Sequence, residues 1–592
     1  MNNKIKVLAA LALVAIGALA AFSPALKADF TNWDDDRLVV NNPVIRGFTG
    51  ANLKAIFGYA YCGTYIPLTL LSFATDYQLY ELKPAGYHFT NILFHVLNAL
   101  LAFGLFFMLT RDLGVAFFVG LLFAVHPLRA ESVAWVTERK DVLFVFFYFL
   151  ALYSYVRHAR KPSWIFYILS FISFLLSGLA KGAAMSLPIV MFLTDWFQGR
   201  KYKARLVWEK IPFVAAAVVF GLLAVYAQRT LHSAQIPIVK RFFTANWVAA
   251  FYLVKTLIPV RLSALYPYPT GFPGTLPLAF LLAPFVTGIL AFFGGYSLPF
   301  TKKFVFGLLF FLVTLLPVSQ LVTVAGPEIA ANRYTYLPLV GICYVLAEGF
   351  CFLLHRRLVP AVWKKLLVGA AAIAVLTLVY TARQRSQTWH DSISLWTDVI
   401  RSNPHIPEAY NNRGAVYAGL GQYDRALADY ERALAIDPDF SRALNNRGNA
   451  FQRIGDFEKA RADFDRAINL DPANADLRYN RGNLFMAMEN YNLAIRDYTA
   501  AVELNPAQLE AWNNRGNAYC RNGDYDLGLA DYNRVLSADP EYVEAYHNRA
   551  VAFFLKKDYD RAWQDVKKLR ALGYPVKPDF LSDLRRMSGR EQ

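Results

Sequence analysis

Eleven apolar runs occupy the first two thirds of the chain, at about 5–26, 87–110, 112–127, 141–157, 163–180, 183–198, 211–228, 276–296, 303–322, 336–355 and 364–381. Each approaches the roughly 17–25 residues that a helix needs to cross a hydrocarbon core. The stretch 246–259 is shorter, contains Lys255 and ends at Pro259, which predicts a re-entrant or interfacial segment. If it does not cross, the basic clusters Lys4/Lys6, Arg157/Arg160/Lys161, Arg200/Lys201/Lys203/Arg205, Lys302/Lys303 and Arg356/Arg357/Lys364/Lys365 all fall on one side. The bias of Lys and Arg toward cytoplasmic loops then predicts an N-terminus inside and a C-terminal domain outside. The first run follows Lys4 and Lys6 and ends in Leu26-Lys27-Ala28. It is long for a signal-peptide core and lacks a small-x-small cleavage site, so an uncleaved anchor is predicted.

Beyond residue 400 the pattern changes. Pro404, Pro438, Pro472, Pro506 and Pro540 recur every 34 residues, as do Gly414, Gly448, Gly482 and Gly516, and Ala426, Ala460 and Ala494. That period and its small-residue columns are the signature of tetratricopeptide helical hairpins. Five repeats are predicted at 407–440, 441–474, 475–508, 509–542 and 543–576. In the last, Ala550 replaces glycine and Tyr574 replaces proline, as befits a terminal cap. The expected fold is all-α: a polytopic membrane domain over 1–385, a linker or entry helix over 386–406, the repeat solenoid over 407–576 and a tail over 577–592.

Charge sharpens this division. Residues 1–400 carry a balance of +18 and residues 401–592 a balance of −1, within a net charge of +17. A basic apolar half joined to a neutral polar half excludes a simple soluble enzyme. The positive charge lies in loops between apolar runs, which argues against nucleic acid as a partner. The four cysteines are scattered, with neither metal-ligand spacing nor a disulfide framework.

Candidate chemistry gathers on the outer side. Asp34, Asp35 and Asp36 follow the first span. One or two of these carboxylates could act as a general base or hold a divalent cation such as Mg or Mn, although acidic turns and helix caps give the same pattern. His88, Asn91 and His95 share a helix face at i, i+3 and i+7, and His126 ends the third span. With no third ligand at a supporting spacing, they read as residues lining a polar cavity. Glu131, Arg139, Lys140, Lys181 and Arg333 sit in outer loops or at span mouths, where ionisable groups are costly and by default functional. In the repeats, Asn412, Asn446, Asn480, Asn514 and Asn548 form a column, each followed by arginine. A carboxamide ladder in the groove could hold an extended peptide backbone, or the Asn-Arg pairs could stitch neighbouring repeats together.

The block from His126-Pro127-Leu128-Arg129-Ala130-Glu131 through Glu138-Arg139-Lys140-Asp141 resembles the signature loop of bacterial membrane proteins with tetratricopeptide tails. These are similar to the eukaryotic transmembrane-and-tetratricopeptide (TMTC) protein O-mannosyltransferases. Trp33-Asp34-Asp35, Pro67-Leu68-Thr69, Gly86-Tyr87-His88 and Arg333-Tyr334-Thr335-Tyr336 support the resemblance. It implies a GT-C glycosyltransferase core that takes a sugar from a polyprenyl-phosphate carrier on the outer face of the inner membrane and passes it to an exported protein. No further cofactor is implied. Asp34 or, in preference, Asp35 would be the base, with Glu131 orienting. Arg139, Lys140, Lys181 and Arg333 would neutralise the donor phosphate. Departures from the family pattern are Ile66 before Pro67-Leu68, Gly182 after Lys181 and Asn332 before Arg333, where polar or acidic residues are usual. Transfer to an envelope lipid or polysaccharide, and a non-catalytic scaffold, are the competing readings.

Overall fold

The computed structural model describes residues 3–201, 204–227, 236–269, 272, 274–321 and 328–590. Lys203 and the terminal residues 228 and 322 of two expected spans lie outside them. The chain divides into two units, Met1–Pro404 and His405–Gln592.

Among the described residues of the first unit six helices are long and apolar enough to cross a membrane: Lys4–Lys27, Pro84–Thr110, Val136–Arg160, Ala204–Ala227, Leu278–Ser297 and Ala361–Gln387. A seventh apolar segment is a pair, Leu113–Val125 and Pro127–Ala134, bent by 53°. The bend falls at Pro127, which has no N–H to continue the ladder. Shorter apolar helices at Trp164–Ala180, Gly182–Phe197, Lys303–Val318 and Leu339–His355 occupy the remaining expected positions. The unit is built as a multi-pass membrane protein. The stretch expected at 246–259 is part of a longer helix, Ile238–Leu257, whose Lys240, Arg241 and Lys255 set it apart from the apolar set.

Small residues set the packing, as they do where helices associate without a hydrophobic drive. Gly307 and Gly341 lie back to back, so a Cβ on Gly341 would overlap the facing backbone. The first helix is packed in by Val14, Ala18, Ala21 and Phe22, all fully buried, and a Cβ on its Gly17 would meet Val125 at 3.0 Å. Three features escaped the hydropathy pattern. Pro67–Tyr80 is a helix that packs on Pro84–Thr110. Tyr266–Pro267 pairs antiparallel with Glu328–Ala330, Tyr266 opposite Ala330. The expected linker is largely part of this unit, as the helix Ser392–Ser402, capped by Asp391 and burying Leu395, Trp396 and Val399.

The second unit is five helical hairpins, from Pro407–Gly419 with Tyr423–Ile436 to Val543–Leu555 with Tyr559–Ala571. The glycine column has a direct cause. An aromatic ring sixteen residues on covers each glycine: a Cβ on Gly414 would stand 2.7 Å from Tyr430, on Gly482 2.7 Å from Tyr498, and on Gly516 2.7 Å from Tyr532. In the last hairpin the position opposite is Val566, and Ala550 fits there. The expected tail instead forms a helix, Pro578–Ser588, which buries Leu584 and brings the Ser588 hydroxyl 3.1 Å from the donating Trp563 Nε1.

Candidate active site

The segment after the first helix is held by aromatic stacking and by the far end of the same unit. Trp33 lies 5.2 Å from Trp135 and 5.0 Å from Trp396, and Trp135 lies 5.0 Å from Trp389, ring centre to ring centre. Trp396 Nε1 donates to Asn32 Oδ1 at 2.6 Å, and Asn32 N donates to Ser392 Oγ at 2.9 Å. These contacts fix the backbone immediately before the aspartate triplet.

The three aspartates diverge. Asp35 is buried, and both its oxygens are engaged: Thr31 N and Oγ1 donate to Oδ2 at 2.9 and 3.0 Å, and Thr137 N donates to Oδ1 at 3.0 Å. Burial pushes its carboxyl up to about 6, against the pull of those hydrogen bonds. It ties the first outer segment to the 126–141 loop, which corrects its preference as the base. Asp36 accepts its neighbour's amide, Arg37 N, at 2.9 Å. Asp34 is partly exposed and is an electrostatic neighbour of Lys140. Among the described residues no three His, Cys, Asp or Glu side chains converge as a metal site, at the triplet or elsewhere.

Beside Asp34 lies a shared charge cluster. Lys140 Nζ is 2.9 Å from Glu138 Oε1, and Lys181 Nζ is 4.0 Å from Glu138 Oε2. Lys181 also donates to Asp141, whose other oxygen accepts from Ser132 Oγ at 3.0 Å. Arg333 donates to Glu131 Oε1 at 2.5 Å and to Glu328, and its Nε is 3.5 Å from Glu138. Glu131 Oε2 also accepts from Asn332 N at 3.1 Å. Lys140, Lys181, Glu131 and Arg333 are thus brought together. Glu138, Asp141 and especially Glu328 complete the cluster. Glu328, on the short strand five residues before Arg333, supplies a carboxylate where Asn332 does not.

Lys140 and Lys181 also line a cavity of about 120 Å3, walled by Ile66, Phe220, Leu223, Ala224 and Val318 among others. Gly182 stands against the helix Ile211–Ala227, a Cβ there meeting Ala224 at 3.2 Å. The departures Ile66 and Gly182 therefore give this cavity an apolar wall.

Other expected site residues serve packing. Arg139 is fully buried, paired with Asp76 at 2.7 Å and donating to Asn91, to Ser72 Oγ at 2.6 Å and to the Tyr87 carbonyl at 2.8 Å. No donor of that fork faces the cavity, so its assignment to the donor phosphate is corrected. Asn91 donates to the Trp135 carbonyl at 3.1 Å, His95 contacts Tyr336 Oη at 2.8 Å and the Ala124 carbonyl at 3.0 Å, and His126 contacts the Thr256 carbonyl at 3.0 Å. His88 is buried as well. The face they share meets neighbouring backbone rather than a cavity.

Comparison with known proteins places this cluster in context. A protein O-mannosyl-transferase of Caenorhabditis elegans is 25% identical over 455 residues, covering 72% of this chain and 62% of that protein. Protein O-mannosyl-transferase TMTC3 of Homo sapiens is 24% identical over 462 residues, 69% of this chain and 49% of that protein. The chain's homologues are TMTC-type protein O-mannosyltransferases. It spans about half to three fifths of the length of these curated relatives. Tetratricopeptide repeat models match residues 407–440, 441–474, 479–540 and 514–572. Among solved structures, YrrB, described as a TPR protein with an unusual peptide-binding site, is 26% identical and covers 33% of this chain and 97% of its own, with a TM-score of 0.28.

Within the repeats the asparagine column is engaged. Asn446, Asn480 and Asn548 donate to Asn411, Asn445 and Asn513 of the preceding repeat at 2.9, 2.9 and 3.0 Å. Asn514 donates to Tyr479 Oη and Asn483 Oδ1, both at 3.1 Å, and Asn412 accepts from Asn411 at 3.1 Å. Each following arginine clamps an aspartate sixteen residues on: Arg413–Asp429, Arg447–Asp463, Arg481–Asp497, Arg515–Asp531 and Arg549–Asp565, at 2.6–2.8 Å. Asparagine joins repeat to repeat and arginine joins helix to helix. The assignment of the asparagines to peptide binding gives way to the stitching alternative.

Proposed function

We propose that the chain is a membrane glycosyltransferase that moves a sugar from a polyprenyl-phosphate carrier to Ser or Thr hydroxyls of exported proteins, at the outer face of a bacterial inner membrane. The observation that carries this reading is the pairing of two ammonium groups, Lys140 and Lys181, with an apolar-walled cavity next to the partly exposed Asp34. A phosphate with a prenyl tail matches such a cavity in both charge and polarity. The relatives' activity as protein O-mannosyl-transferases supports a protein acceptor.

In the proposed reaction the acceptor oxygen attacks the anomeric carbon as the bond from that carbon to the phosphate oxygen breaks. Asp34 takes the hydroxyl proton from the face opposite the leaving group, giving inversion by single displacement. Lys140 and Lys181 neutralise the departing phosphate as preorganised cations. Glu131 and Glu328 hold Arg333, and Glu138 holds all three cations in register. No cofactor is required. The repeats raise the local concentration of an acceptor segment through groove positions other than the asparagine column.

The test supplies membranes containing the full chain with polyprenyl-phosphate-linked hexoses and exported acceptor proteins, and reads glycopeptide masses. A hexose-sized increment on Ser or Thr, absent from a deletion strain and reduced by Lys181→Gln, is expected. Identical acceptor masses in wild type and deletion overturn the reading.

A further inference from the structure

A second cavity opens at the opposite end of the membrane helices. It lies between the start of Leu113–Val125, the start of Lys303–Leu315 and the end of Leu339–His355. Arg333 and Asn332 precede the near end of that helix, and about 14 Å of helix rise separates its first residue from Glu348 in this cavity. Its volume is about 790 Å3, within the range of small-molecule sites.

The lining carries both signs of charge in balance. Two acids, Asp112 and Glu348, face two fixed cations, Lys303 and Arg356, with the imidazole of His355 beside them. Asp112 caps its helix through Oδ1 alone, which accepts from Gly114 N at 2.8 Å and Val115 N at 3.1 Å, so Oδ2 stays outside the cap. Glu348 Oε2 accepts from Lys303 Nζ at 2.7 Å, and that lysine is half exposed. Phe300 and Phe352 flank the opening and are mostly exposed, which gives the polar floor apolar sides. A carboxylate well inside the last helix is expensive at membrane depth unless it meets a cation. Nothing in the proposed transfer reaction uses these residues.

We propose that this cavity binds the headgroup of an aminophospholipid, a phosphatidylethanolamine, with the primary ammonium on Asp112 and Glu348 and the phosphate on Lys303, Arg356 and His355. The balance of charge selects a zwitterion over an anionic lipid. The two carboxylates select a primary ammonium, which donates hydrogen bonds, over a trimethylated one, which does not. The exposed phenylalanines accommodate the acyl chains, which fits a lipid and not a free headgroup.

The test uses the full chain purified in detergent and incubated with equal amounts of phosphatidylethanolamine, phosphatidylcholine and phosphatidylglycerol of identical chains, with native mass spectrometry reading the retained lipid. One phosphatidylethanolamine, favoured about tenfold over each of the others, is expected, the factor that one charge-assisted hydrogen bond supplies. Asp112→Asn with Glu348→Gln levels the three lipids, the asparagine preserving the helix cap. Arg356→Gln weakens all three while leaving the ratio of ethanolamine to choline lipid unchanged. Equal retention by wild type, a preference for phosphatidylglycerol, or a preference that survives the double substitution overturns the proposal. The measurement reads binding and is independent of any transferase activity.

Discussion

The repeats and the charge cluster of the membrane unit both bury arginine against carboxylate, but in opposite ways. In each repeat one guanidinium grips one aspartate through two bonds, as Arg447 grips Asp463 at 2.7 Å on both. This two-bond clamp repeats five times at one spacing, and only its margin is shared in the third repeat, where Arg481 also meets Asp465 at 2.5 Å. In the cluster Glu138 answers to Lys140, Lys181 and Arg333 together, and Arg333 answers to three carboxylates. A closed pair is a fastener. A cluster with shared partners can lend a cation to an incoming anion without stranding a charge, and only such a cluster can serve chemistry. Arg139 with Asp76 shows that the fastener also occurs within the membrane unit, one residue from Lys140.

The contrast can be broken from either side. Asp34→Asn is expected to lower transfer by roughly 10²–10⁴-fold, the range for a lost general base, with the thermal unfolding midpoint unchanged. A fall in both together would make Asp34 another fastener. Arg139→Met strands the buried Asp76 and should cost about 3–5 kcal/mol of stability in detergent, measured by thermal unfolding. Lys140→Met, one position on, should cost far less, because Glu138 keeps two other cations.

Asp35 offers a pH test. Its carboxyl sits at about 6 in the folded loop against 3.8 when unperturbed, so between those values the folded state holds a proton that the unfolded chain has released. Stability therefore falls as pH rises from about 4 to about 6 and is level above, by about 3 kcal/mol in total. Asp35→Asn should remove that slope; an unchanged slope assigns it to another group. The smallest effect is expected in the repeats, where Arg447→Met should lower protection of Ser441–Arg453 and Phe457–Leu470 in hydrogen exchange by about 1–3 kcal/mol.

The eleven apolar segments and the five hairpins were legible because each obeys a length or period that one strand of sequence carries alone. The convergence of Lys140, Lys181, Glu131 and Arg333 was legible from their shared side. The partner of each was not. Glu328 reaches Arg333 because a two-residue strand holds it there, and that pairing with Tyr266–Pro267 leaves no hydropathy signal. His88, Asn91 and His95 misled because helical spacing names a face without saying whether a cavity or a neighbouring backbone meets it. The asparagine column misled for a related reason: a ligand groove and the next repeat demand the same 34-residue period, and only the contact, 35 residues back in four of the five, tells them apart. The choice between Asp34 and Asp35 needed the amide of Thr137, 102 residues downstream.

The tryptophan stack has a consequence for how the protein is made. Asn32 is bonded to Ser392, 360 residues later in the chain. At about 5–20 residues per second, the ribosome delivers that partner roughly 20–70 s after the aspartates have emerged. Through that interval the segment lacks Trp389 and Trp396, and the aspartates stand without their support. That support arrives only after the helix Ala361–Gln387 has been made, so the packing around the aspartates is completed just before synthesis reaches the repeats.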